Sequence, residues 1–356
     1  MPSTLYRLKE HSNEDKQHYK LFNEMTEIVP QVARQLDNEK QLVEYKGDIT
    51  FVPSKDIVHQ VKNDKYIGTI STHRRLSPDS TIYAQYERTL QMKPSFDKEQ
   101  CHILGMILIS NKQMIVAGYN NNKIKIIDIC HGRLVSQISV SSEPRDVIKL
   151  PQNQVAVALP DEQHIQIMSY TYTSMSLDRR IDVGNKCYCV AYWQDMLVVG
   201  CNFNPGKLIV LDFDGNIVEV FDTPGLFGGP KKIVISIDEK FIYVSDYNNV
   251  SKRSKFLKID WQGNIVQRFE DQGYVSPTGI QELIGGTLLV CYRNIHTIVR
   301  LSRSFKECPI VGLEKANLHF LQAVIYCKRD QKLYISCSSA HGFCADKIKI
   351  FSFELF

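Results

Sequence analysis

Two series of short apolar runs recur through most of the chain at nearly the same spacing. KIKIIDI begins at Lys123, HIQIMSY at His164, KLIVLDF at Lys207, KFLKIDW at Lys255, TIVRLSR at Thr297 and KIKIFSF at Lys347, in steps of 41, 43, 48, 42 and 50 residues. A second series precedes each member: MIVAGY from Met114, QVAVAL from Gln154, DMLVVG from Asp195, FIYVSD from Phe241, TLLVCY from Thr287 and KLYISC from Lys332. A period of 40–50 residues holding several short strands is the pattern of propeller blades. Turn chemistry inside the units agrees. Leu208–Phe221 reads as two strands joined by Asp214-Gly215, and Phe256–Phe269 repeats this with Gln262-Gly263, glycine supplying the left-handed position of a tight hairpin.

Strand counting then addresses closure. Five units between His102 and Val311 each carry four strands, whereas the sixth carries three and ends with KIKIFSFELF. The missing outer strand is assigned to TIYAQYERTLQMK (Thr81 to Lys93), which would join both ends of the ring and leave no open edge at the seam. The fold class expected is therefore all-β, a six-bladed β-propeller over residues 81–356, closed by an N-terminal strand. A β-sandwich of repeated hairpins is the alternative.

Upstream, Leu21, Met25, Ile28, Val32 and Leu36 follow a helical period. Residues 1–46 are thus expected to form a short helical leader, interrupted near Pro30. The leader is either an amphipathic helix packed on its own domain or a coiled-coil remnant through which the chain self-associates. Residues 47–80 read as a linker with up to two short strands. No apolar run reaches the 18 residues of a membrane helix, so no membrane partner is expected. The ten cysteines lie mostly within apolar runs and never as Cys-x-x-Cys, which reads as reduced thiols in a cytoplasmic protein.

The order of helical end, FVPSKD linker, closing strand and six units with the SEPRDVIKL-PQNQVAVAL pattern resembles the C-terminal half of NHL-like tripartite-motif (TRIM) proteins, in particular their divergent mollusc and other invertebrate members. In that family a RING finger, B-box zinc fingers and a coiled coil precede the propeller. Zinc-binding Cys-x-x-Cys pairs are missing here, so a RING-borne ubiquitin-ligase activity is not carried over. The remainder resembles the substrate-selecting end of such a ligase. Propellers of the family include protein binders and sequence-selective RNA binders.

Catalytic motifs are scarce. No phosphate-binding glycine loop, His-Glu-x-x-His or Gly-x-Ser-x-Gly occurs, and His73, His102, His164, His296 and His319 share no context that would make a catalytic group. His341 and Cys344, with Cys337 and Asp346 nearby, have loosely metal-like spacing, but chance proximity explains them better than a three- or four-ligand site. Asp128, Asp212 and Asp260 recur at one blade position and are read as turn acceptors, and Trp193 and Trp261 as packing residues. No enzyme activity, cofactor or metal is expected. A channel-metal hydrolase would require inward Glu, Asn and Asp from several blades, whereas the entering strands carry Lys, Arg and apolar residues.

Function is expected on the face that collects the loops into each innermost strand and the loops between second and third strands. The candidate partner-binding residues there are Tyr119, Asn121, Arg145, Lys186, Asn204, Lys231, Tyr247, Asn249, Tyr292 and Arg293. Such a set suits a protein or peptide ligand on a non-catalytic adaptor. Single-stranded RNA is the alternative, since bases stack on aromatics and phosphates meet cations. The net charge of +4, from 43 basic and 39 acidic residues, weighs against RNA.

Overall fold

The computed structural model describes residues 47–53, 68–74, 81–92, 97, 99–201, 206–223, 225–248, 253–270, 273, 276–283, 285–308, 310–313, 317–337 and 347–354. The chain divides into two compact units, Met1–Arg75 and Leu76–Phe356. In the first, Gly47–Pro53 pairs antiparallel with Gly68–Arg74. The helical leader expected over 1–46 lies outside the described residues.

The second unit is a six-bladed propeller. Blade 1 runs outward through Ile103–Leu108, Gln113–Gly118, Lys123–Asp128 and Arg133–Ser139. Blade 2 comprises Asp146–Leu150, Gln154–Leu159, His164–Tyr170 and Met175–Asp182. Blade 3 comprises Cys187–Trp193, Met196–Cys201, Lys207–Asp212 and Ile217–Phe221. Pro230–Ile235, Ile242–Tyr247, Ser254–Ile259 and Ile265–Phe269 form blade 4. Pro277–Leu283, Thr287–Tyr292, Thr297–Leu301 and Glu307–Cys308 form blade 5. Blade 6 begins with Leu321–Cys327, Lys332–Cys337 and Lys347–Glu354. Innermost strands of successive blades touch all the way round, blade 6 meeting blade 1.

The closing strand is found where the counting placed it. Ile82–Gln91 pairs antiparallel with the last strand, from Gln91 opposite Lys347 to Tyr83 opposite Glu354. One detail differs from the sequence reading. Blade 5 does not keep its outer edge as far as Val311: it ends at Cys308, and Ile310–Val311 crosses to pair in parallel with Ile82 and Tyr83. The edge of the closing strand thereby gains a partner that its own blade does not supply, and blade 6 becomes five-stranded.

Burial follows from stacking sheets around an axis. Both faces of a middle strand meet neighbouring blades, so these strands are continuous apolar runs rather than alternating ones. In Gln154–Leu159 every residue after Gln154 is buried, while the outer strand Met175–Asp182 is mostly exposed. There is no single central core. Six hydrophobic clusters occupy the six seams between blades. Near the axis the inner strands approach closely enough that a Cβ at Gly279 would stand 2.9 Å from the Cα of Ala323.

The repeated aspartates accept turn hydrogen bonds. Asp212 receives the backbone N–H groups of Asp214 and Asn216 and the Asn216 amide, closing a hairpin in which Gly215 has φ +89°. Asp260 does the same with Gln262 and Asn264. Asp128 instead takes the backbone and ring nitrogens of His131. Trp193 and Trp261 stack across the seam of blades 3 and 4, with centroids 3.7 Å apart. A buried ion cluster ties the segment after the closing strand to blade 1. Asp97 pairs with Lys123 at 2.7 Å and with fully buried Lys125, which also donates to the Met92 carbonyl at 3.1 Å.

Candidate functional site

The channel opens onto the loop face singled out from the sequence. After the second strand of blade 1, Tyr119–Asn121 makes one 3-10 turn ended by Asn122 in the left-handed conformation, φ 50°. This turn stands the Tyr119 ring beside the loop into blade 2. The Arg145 guanidinium lies 4.2 Å from that ring's centroid and donates to the Tyr119 hydroxyl at 3.0 Å. It also lies 5.4 Å from the Tyr188 centroid, and Lys231 Nζ approaches the same Tyr188 ring at 5.4 Å. Across the mouth, Arg293 lies 5.9 Å from the Phe320 ring. His102 meets Tyr119 edge-on at 5.3 Å.

Electrostatic coupling follows from this proximity. Burial, then the Arg145 charge and less strongly that of Arg293, hold Lys231 below the usual lysine range, with Cys189 and Asp246 opposing the shift. Burial and Arg145 lower Arg293 in the same way. Burial pushes His102 down to about 4, with Arg293 and Arg145 adding to the shift. Tyr119 is raised to about 12, chiefly by burial and next by its hydrogen bond with Glu143.

Beneath the mouth is a cavity of about 100 Å³ lined by every innermost strand, including Leu104, Tyr188, Ile280 and Ala323. Its ionic floor is internally satisfied. Asp146, 2% exposed, accepts the Val147 N–H at 2.9 Å and the Val190 N–H of blade 3 at 3.2 Å. It also pairs with Lys232 of blade 4 at 2.6 Å. Burial raises the Asp146 carboxyl, with Lys232 and the two N–H groups opposing that rise.

Of the ten residues read as a binding face, Tyr119, Arg145, Lys231 and Arg293 come together at the mouth. Lys186 is near enough to Tyr188 and Arg145 to interact with their charges but is paired with Asp161 at 3.1 Å. Asn121 is tied to the backbone of Glu99, donating at 3.0 Å and accepting at 3.3 Å. Tyr247 is half-buried at the end of its strand. Asn204 and Asn249 lie outside the described residues, as do His341, Cys344 and Asp346, while Cys337 is buried between blades 5 and 6. Tyr292 requires correction. It is 2% exposed, in the seam between blades 4 and 5, because all six residues of its strand face neighbouring sheets.

The sequence reading left Tyr188, Phe320 and Asp146 out of the face and named His102 only among histidines without a shared context. Tyr188 had no periodic signal: it is the extra residue of a β-bulge, where Cys187 pairs with Cys201 and Cys189 with Gly200. Cys187 therefore packs into the seam of blades 2 and 3, Cys189 into that of blades 3 and 4, and Tyr188 lines the channel cavity. The Asp146–Lys232 pair had none, since 86 residues separate its members.

The sequence matches no protein-family model and no curated protein. Among solved structures the chain is similar to a streptogramin B lyase, at 12% identity and TM-score 0.55, over 75% of this chain and 98% of that one. Virginiamycin B lyase from Staphylococcus aureus gives 12% identity and TM-score 0.53 over 74% and 98%. The Cps50 (Swd1) β-propeller domain of Myceliophteria thermophila gives 12% and 0.50 over 70% and 83%. At such identities the likeness concerns the fold alone. No described helix is long and apolar enough to cross a membrane.

Proposed function

We propose that the propeller is a non-catalytic recognition module that binds a protein partner through the loop face around the channel mouth. The observation that carries this reading is the convergence of Arg145, Lys231 and Arg293, each against an aromatic ring, on a rigid six-fold support. Cations flanked by aromatics give an interface both charge complementarity and desolvated anchors. Recognition is favoured over catalysis because the acidic group of the channel floor, Asp146, is already engaged by Lys232 and two backbone donors. The resemblance to NHL-like propellers of tripartite-motif proteins supports a role as the substrate-selecting portion of a ligase or as a cytoplasmic adaptor. A self-associating leader would then multiply the strength of a weak face.

The test is cross-linked capture from an extract of the source cells, using the full chain. Wild type is compared with Arg145→Glu and with Lys240→Glu, an exposed residue in the loop between the first two strands of blade 4, at the opposite end of the blade. A partner recovered by wild type and Lys240→Glu but lost from Arg145→Glu is expected. Equal recovery by all three would refute the choice of face, and capture dominated by RNA would replace protein with nucleic acid as the ligand.

A further inference from the structure

The centre of this face holds more positive charge than general protein docking requires. Lys231 and Lys232 are adjacent but differ in circumstance. Lys232 is paired with Asp146, whereas among the described residues no carboxylate lies within ion-pair distance of Lys231, Arg145 or Arg293. Asp246 acts on Lys231 only from farther off and is held by the Gly228 and Gly229 N–H groups, and Glu143 is engaged by Tyr119. Arg293 also has a buried Nε without a hydrogen-bond partner. All three side chains are half-buried. Each stands on a separate blade sector: Arg145 on the loop into blade 2, Lys231 on the inner strand of blade 4, and Arg293 after the second strand of blade 5. Partly desolvated like charges repel one another and destabilise the folded chain unless an anion relieves them.

The shape of the mouth narrows what that anion is. The cavity beneath it, about 100 Å³ and lined by Arg145 and Lys231 but not by Arg293, admits the tip of one side chain and not a helix or strand. Arg145 and Lys231 line this cavity and Arg293 is close enough to act on both through its charge, so donors from three blade sectors are available to a group with three terminal oxygens. A carboxylate has two oxygens and one charge, and the phosphodiester of RNA offers two free oxygens within a chain too bulky to enter. A phosphomonoester offers three oxygens and a charge near −2 at neutral pH, with an arginine fork suited to two of those oxygens. We infer that the channel mouth is a pocket for the phosphoryl group of a phosphorylated serine or threonine on the protein partner, held by Arg145, Lys231 and Arg293. This rests on the recognition reading above and specifies the group that the face selects.

The test uses the full chain and fluorescein-labelled degenerate heptapeptide pools with phosphoserine, serine or glutamate at the centre, read by anisotropy, with a degenerate decanucleotide RNA as competitor. The phosphoserine pool is expected to bind at least about tenfold tighter than the other two, the scale of one or two charge-assisted hydrogen bonds. Lys231→Met and Arg293→Gln, each confirmed folded by a cooperative thermal transition with a midpoint no lower than that of the wild type, should each reduce that preference about fivefold or more. Two variants are needed so that one misfolded protein does not decide the matter. Equal binding of all three pools, a preference for glutamate, no measurable binding of the phosphoserine pool, or RNA displacing that pool at equal concentration would overturn the inference. If capture of a partner nonetheless still depends on Arg145, only the phosphoryl assignment falls; if it does not, the recognition reading falls with it.

Discussion

Asp146→Asn changes almost no volume but reverses the hydrogen-bond polarity at the floor of the channel. One carboxylate oxygen receives the Val147 N–H at 2.9 Å and Lys232 Nζ at 2.6 Å, and the other receives the Val190 N–H at 3.2 Å. An asparagine has a single acceptor oxygen, so in either orientation its NH2 group faces a donor. Lys232 then keeps its charge without its partner. Removing one member of a buried pair costs roughly 3–5 kcal/mol. The Lys232 side chain retains 21% exposure and some water, which places the expected loss near the lower end, about 3 kcal/mol. At roughly 2–4 °C per kcal/mol for a domain of this size, the thermal midpoint should fall by about 6–12 °C. Calorimetry or far-UV circular dichroism at pH 7 measures it. Lys232→Met should cost less, since the remaining carboxyl keeps two backbone donors and can take a proton. The double variant Asp146→Asn/Lys232→Met should then be more stable than the two losses added together predict, because the stranded ammonium is gone. Additive losses, or a shift of less than about 2 °C for Asp146→Asn, would refute the view that this pair fastens blades 2, 3 and 4 together.

Two further outcomes follow from other ionic groups. Asp97→Asn should destabilise the propeller by about 3 kcal/mol, as it strands the fully buried Lys125, and urea midpoints would measure this; a neutral result would mean that the segment after the closing strand is dispensable. His102, ordinarily near 6.5 and held at about 4 in the folded chain, makes no contribution to the pH dependence of stability above pH 6.5, where it is neutral both folded and unfolded. Between those two values the unfolded chain takes the proton first, so stability should decline as pH falls through that window, by about 3 kcal/mol. Melting curves for wild type and His102→Gln at pH 7.5, 5.5 and 4.5 test this, and parallel declines would show that another group is responsible.

The fold was legible because its two determinants are both linear. Blade spacing is a period along the chain, and closure is a count of strands, so Thr81–Lys93 was assigned to the last blade without any contact being known. The face was legible only by loop position. Whether a strand-end aromatic turns into a seam or toward the channel depends on how the sheets stack, and so Tyr292 was misplaced and Tyr188 passed over. Arg145, Lys231 and Arg293 were each visible as loop or strand-end cations. That they share one mouth while Lys186 pairs with Asp161 is a property of the closed ring and not of any local pattern. The crossover of Ile310–Val311 to blade 6 was hidden for a similar reason, since two residues carry no periodicity.

The chain has two tryptophans, and they lie ring on ring at one seam. Indole emission is therefore a spectroscopic gauge of the blade 3–blade 4 junction alone, blind to the other five. Set beside a signal from the whole backbone, it would reveal whether the ring comes apart everywhere at once or begins to part at that joint.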